Sequence, residues 1–164
     1  MHKLYNESSL NDLIDVTMDD VRRENNNGED QLIFIANDGR QWMMCHMQDC
    51  CEHVVIEDIV GELCELVGKP IVKATSFSNE DEGFVDSEND NYVSATWTYY
   101  EFATVKGNVS IRWHGASNGC YAETAKLYKL VGETDDATDD NASIADHIEY
   151  DQKLLYRNGC KRWE

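Results

Sequence analysis

Residues 95–121, ATWTYYEFATVKGNVSIRWHGASNGCY, place the tightest limit on what this chain can fold into. Two runs rich in Val, Ile, Thr and aromatic residues flank a Lys106-Gly107 break, the pattern of two strands joined by a tight turn. Strand alternation puts Trp97, Tyr99, Ala103 and Val105 on one face of the first strand. It puts Val109, Ile111 and Trp113 on one face of the second. The hairpin is read as the core. The loop Gly115-Ala116-Ser117-Asn118-Gly119 that follows it is small and polar, and is the expected working surface.

The remaining residues supply further strands and a few helical signals. Ser9 with Asp12 three residues on resembles a capping box. Leu10, Leu13, Ile14, Met18 and Val21 recur at helical spacing, so a first helix is expected over residues 9–23, ended by Asn25-Asn26-Asn27-Gly28. Apolar runs around Asp38-Gly39 predict a hairpin from residues 32–36 to 40–47. Residues 54–60 and 71–77 read as strands, with a short helix at 62–67 between Gly61 and Gly68. Residues 121–131 alternate well enough for another strand. Residues 78–91 hold six acids and no Lys or Arg, which predicts a solvated loop. Residues 132–151 hold eight acids and no Lys or Arg, and a short helix is expected at 144–155. The expected fold class is α+β: a predominantly antiparallel β-sheet with one or two covering helices. Residues 1–131 form a single domain in this reading, and 132–164 an acidic C-terminal extension packed on it.

The chain has 164 residues and a formal net charge of −18, with 32 acidic against 14 basic residues. That balance opposes direct binding to nucleic acid phosphates, which requires cations to displace counterions. No run approaches the roughly 18 apolar residues of a membrane span, and residues 1–10 lack a signal-peptide core. A cytoplasmic setting is therefore expected, with the six cysteines as reduced thiols. A bond between the neighbours Cys50 and Cys51 would be strained.

Three constellations carry chemistry. Cys45, His46, Asp49, Cys50, Cys51 and His53 are potential metal ligands, but their spacing matches no zinc pattern, so no metal or other cofactor is assigned. Cys120 and His114 are too slender a basis for a thiol enzyme without a spatial pairing, and no catalytic residue is assigned. Adjacent Glu57 and Asp58 should point to opposite faces of a strand. The third constellation is a basic, aromatic island. Residues 97–130 carry Lys106, Arg112, Lys126 and Lys129 against Glu101 and Glu123, or 4 − 2 = +2 in a chain of −18. Arg112, Trp113, His114, Ser117, Asn118, Tyr121 and Lys126 are the candidate ligand-binding residues. Arg112 and Lys126 would meet phosphate oxygens, Trp113 or Tyr121 would stack on a base, and Ser117 and Asn118 would give directional hydrogen bonds.

Residues 48–73 and 97–121 also resemble a family of small proteins common in bacteriophage genomes. The shared features are Asp49-Cys50-Cys51-Glu52, Ile56-Glu57-Asp58-Ile59 before Gly61, Gly68-x-Pro70-Ile71, and Arg112-Trp113 leading into Ser117-Asn118-Gly119. This chain has Cys120 where relatives tend to have an aromatic after Ser-Asn-Gly. The resemblance implies a non-enzymatic accessory protein of the host cytoplasm that counters host defence. Two modes are expected: sequestering a small anionic, nucleotide-like signal molecule, or acting as an acidic nucleic-acid mimic that binds a host defence protein. Homo-oligomerisation is compatible with either.

Overall fold

The computed structural model describes residues 2–81, 85–88 and 91–134. Nine strands follow one another: β1 (His2–Ser8), β2 (Met18–Asn26), β3 (Glu29–Ala36), β4 (Gln41–Cys45), β5 (Glu52–Val60), β6 (Lys73–Asp81), β7 (Ser94–Thr104), β8 (Gly107–Ser117) and β9 (Lys126–Thr134). They form two antiparallel sheets, one ordered β1-β9-β4-β3-β2 and the other β5-β8-β7-β6. The sheets share one core, led by Phe34 and Trp42 from the first and Phe102, Ile111 and Trp113 from the second. Phe34 and Phe102 meet across it with centroids 5.3 Å apart. This is a β-sandwich, the layer solution for two sheets that each have one apolar face.

The expected covering helices are absent among the described residues. The only helical segments among the described residues are two 3-10 turns of four residues, at Leu10–Leu13 and Leu63–Leu66. The capping box of Ser9 and Asp12 does form, but the chain leaves the helical path at once: Ile14 is extended and Asp15 has φ 66°. The apolar stripe that suggested a helix is buried by other means. In the pairing of β2 with β3, Met18 faces Ala36 but Asp20 faces Ile35, so Asp19 is an extra residue. A one-residue bulge lets Met18 and Val21, three apart, both face the core, which imitates helical spacing. The Asn-Gly that was read as a helix stop is a hairpin turn, with Asn27 at φ 55° and Gly28 at φ 88°, the left-handed pair such turns require.

Ser78–Asp81, assigned to an acidic loop, belongs to β6. The boundary drawn at 131/132 falls inside β9, which pairs with β1 up to Thr134. The helix expected at 144–155 lies outside the described residues. The hairpin at Asp38-Gly39 is present as β3 and β4. No described helix is long and apolar enough to cross a membrane.

In the central hairpin, Tyr99 stands opposite Arg112 and Tyr100 opposite Ile111. The core face of β7 is therefore Thr96, Thr98, Tyr100, Phe102 and Thr104, all buried, and not the Trp97 face. Its threonines are tolerable inside because each hydroxyl has a partner: Thr96 donates to Glu123, Thr98 meets Ser78, and Thr104 donates to the Glu65 carbonyl. The segment before β9 crosses over Gly115, where a Cβ would fall 1.9 Å from the Glu123 carbonyl oxygen.

Tyr100 ties β7 to that crossing segment through a 2.6 Å bond from its hydroxyl to the Ala125 carbonyl. Burial pushes its phenol up from 10.0 to about 12. The unfolded chain ionises near 10, so the stability gained by burying a neutral phenol is complete below about pH 10 and is lost as pH rises through about 12. Denaturant titrations should therefore show stability falling over that window. Tyr100→Phe should flatten the fall while costing about 1 kcal/mol at neutral pH for the lost hydrogen bond.

Candidate functional site

The outer face of the four-stranded sheet has no layer over it among the described residues. Its register places Phe77 beside Tyr99 and Tyr99 beside Arg112, then Asn79 beside Trp97 and Trp97 beside His114. The face therefore presents three carbocyclic aromatic rings, an imidazole and a guanidinium. Phe77 is 68% exposed. Phe77 and Tyr99 have centroids 6.3 Å apart, and Trp97 and His114 4.8 Å.

Glu57 organises this surface. Ile56 faces Trp113 but Asp58 faces Arg112, so Glu57 is an extra residue in β5. The bulge overrides strict alternation. Glu57 reaches over the outer face, and the register resumes with Asp58 on that face as well. The Glu57 carboxylate accepts from Arg112 Nη2 at 3.0 Å and from Trp97 Nε1 at 3.1 Å. Four carboxylates, Glu57, Asp58, Asp81 and Glu101, share the face with two cations, Lys73 and Arg112. Lys73 pairs with Glu101. Chemically this is a flat aromatic surface with an acidic surround, suited to stacking and to cation–π contacts.

The seven residues singled out from sequence do not converge. Arg112 and His114 lie on the outer face. Trp113 is fully buried in the core, with Nε1 unpartnered. Ser117 is buried and donates to Glu123, whose carboxylate also accepts from Ser94 and, at 2.8 Å, from Thr96. Asn118 closes a loop, its backbone N–H donating to the Cys51 carbonyl and its side-chain oxygen accepting from the Cys120 N–H. Tyr121 lines a shallow cleft of about 580 Å³ with Glu80, Asp81, Ser94 and Glu123. Lys126 is on the other sheet, paired with Glu7 at 3.4 Å. The basic island is also dispersed, for Lys106 donates to the Cys64 and Val67 carbonyls.

The cysteine-rich segment is organised by a carboxylate. Glu52 is 2% exposed and accepts from the Asp49 and Cys50 N–H groups. His46 Nε2 meets Glu52 at 3.1 Å, and its Nδ1 meets the Thr124 carbonyl at 3.0 Å. Both ring nitrogens are thus held, one by the Glu52 carboxyl and one by the Thr124 carbonyl. The sulfurs of Cys50 and Cys51 are in bonding contact, where reduced thiols are expected from the sequence, while Cys64 and Cys120 are exposed free thiols. No three His, Cys, Asp or Glu side chains converge as a metal site among the described residues.

Sequence reasoning missed Phe77, Trp97, Tyr99 and Glu57 as surface residues. The usable signal was the Glu57-Asp58 pair inside an apolar strand, where two successive acids cannot both face solvent unless a bulge intervenes. Residues 7–127, more than half of the chain, match the family model described as a domain of unknown function, DUF7448. No curated protein and no solved structure matches the chain.

Two substitutions should separate the working surface from its scaffold. Arg112→Ala breaks an ion pair whose side chains are 36% and 40% exposed, and should change stability by less than about 1 kcal/mol. Glu52→Ala removes the buried partner of the His46 ring and leaves the Asp49 and Cys50 N–H groups without their acceptor, and should cost about 2 kcal/mol or more. Urea denaturation of the two variants beside the parent checks both.

Proposed function

The chain belongs to the DUF7448 family, and we propose that it is a non-enzymatic binding protein that docks a basic protein partner on the outer face of its four-stranded sheet. One observation carries this reading: Phe77, Trp97 and Tyr99 share an uncovered face with more carboxylates than cations. Trp, Tyr and Arg are the residues that dominate binding energy at protein interfaces. A surround of carboxylates selects a partner rich in Lys and Arg, and the net charge of −18 steers it in. The resemblance to phage accessory proteins supplies a setting. An acidic decoy would occupy the nucleic-acid-binding surface of a host defence protein.

Sequestration of a nucleotide-like signal has less support from this geometry. Arg112 is already neutralised by Glu57, and the cleft beside Tyr121 is bordered by Glu80, Asp81 and Glu123. Both features disfavour a phosphate. For comparison, a decoy needs no enclosed pocket.

Immobilised protein offered to host lysate should retain a nucleic-acid-binding protein, release it as salt rises beyond about 0.2 M, where the Debye length drops below about 8 Å, and lose it to competing DNA. Trp97→Ala with Tyr99→Ala should abolish retention while leaving the melting temperature within a few degrees. Retention that survives this double substitution, or that DNA does not compete, would overturn the proposal. Heat from titrated cyclic nucleotides instead would restore the sequestration reading.

A further inference from the structure

A sandwich of two open sheets has four edge strands, and an open edge is a template for another strand. Among the described residues the edges are β1 and β2 in one sheet, and β5 and β6 in the other. Three are irregular. β2 contains the extra residue Asp19, and carries Arg22, Arg23 and Glu24. β5 contains the extra residue Glu57. β1 pairs across a register break, Leu4 with Gly132 and Tyr5 with Leu130, that leaves out Val131. β6 pairs with β7 through nine consecutive residues with no shift. Its middle, Ala-Thr-Ser-Phe-Ser-Asn at 74–79, is uncharged, and Phe77 at its centre is 68% exposed.

We propose that β6 is a self-association edge, at which two copies of this chain pair β6 with β6, antiparallel, about a two-fold axis at Phe77. The sequence is complementary to itself in that register. Residues equidistant from Phe77 face each other, so Lys73 stands opposite Asp81 of the partner subunit, and Thr75 opposite Asn79 of the partner subunit. Phe77 meets Phe77 of the partner subunit. Opposite charges and aromatic pairs directly across an antiparallel ladder stabilise it. Both charged ends are used twice, as an isologous contact requires. A slip of one residue would set the outer face of one copy against the inner face of the other. A slip of two removes Lys73 from Asp81.

The product is one continuous eight-stranded sheet. Lys73 sits between its own Glu101 and the incoming carboxylate. The interface is a single strand pair, so the dimer is weak and concentration-dependent. The proposal stands on the edge alone. One consequence rests on the docking reading above: the two aromatic faces join at the axis, doubling the surface offered to a partner.

Sedimentation velocity of the full chain over a concentration series should show a monomer–dimer equilibrium, at salt sufficient to screen the −18 charge of each copy. Phe77→Lys, at an exposed position, should keep its circular dichroism and weaken the dimer about tenfold or more, since it removes an aromatic pair and opposes like charges. Phe77→Cys places identical thiols across the axis. It should cross-link under mild oxidation well above the parent, whose Cys64 and Cys120 set the background. Thr75→Cys, which faces position 79, should not. A parent chain that stays monomeric throughout the series overturns the proposal, as does a Thr75→Cys variant that cross-links as readily as Phe77→Cys. Trp97→Ala with Tyr99→Ala leaves β6 intact, so a failure of partner docking and a failure of dimerisation are read separately.

Discussion

The grip of Asp30 and Arg23 on the backbone of Ile56 is the contact on which the arrangement of the two sheets turns. Ile56 lies on an edge strand, next to a bulge. Asp30, 4% exposed, comes from the opposite sheet and accepts the Ile56 N–H at 2.8 Å. Arg23 donates to the Ile56 carbonyl at 3.3 Å and to Asp30 at 3.1 Å, and Asn25 adds a third donor to the same carboxylate. Desolvating a carboxylate costs several kcal/mol unless its lone pairs are met. Here an amide N–H, a guanidinium and a side-chain amide meet them. The apolar core would hold two sheets together in many relative settings, because hydrophobic contact is non-directional. These bonds select one setting, and in doing so hold β5 where its bulge throws Glu57 onto the outer surface.

Polar groups inside the sandwich act in the same directional way. The buried threonines of β7 each reach a defined acceptor or hydroxyl, and Glu123 gathers Ser94, Thr96 and Ser117 at the far end of the sheet. Glu52 does likewise for the loop before β5. Unmet, each group would carry the full cost of desolvation, so a shifted register is penalised twice, in lost packing and in stranded polar atoms. The close passage of the 122–124 segment over Gly115 belongs to the same device, since only a residue without Cβ lets Glu123 approach.

The strands were legible where alternation is uninterrupted and the turn chemistry is strong, as at Asp38-Gly39 and through the aromatic hairpin. Reading failed where a bulge changed the count. An extra residue at Asp19 made a strand look helical, and another at Glu57 put two successive acids on one face where strict alternation would separate them. The inner face of β7 was misassigned for a different reason: residue type was taken as a guide to burial, while Thr96 and Thr98 are inside and Trp97 half-outside. Candidate site residues chosen for nearness in sequence came apart because Arg112, Trp113 and Ser117 point to different sides of one sheet or lie at its far end. The rings that do share a surface, Phe77, Tyr99 and Trp97, come from two strands, and only the pairing of β6 with β7 brings Phe77 to the other two.

The single inserted residue in β5 has a further consequence for how such a protein can change over time. In β7 or β8, flanked on both sides, adding or deleting one amino acid would invert every side chain beyond it and turn the core outward. In β5 the ladder is bound on one side only, so the extra residue is absorbed as a kink, and Ile59 still packs against the core. The chemistry of the exposed surface is thus uncoupled from the arithmetic of the interior. Length variation at this one margin can recast the outward chemistry of the sheet, its charge and its reach, while the buried half of the molecule keeps the same partners.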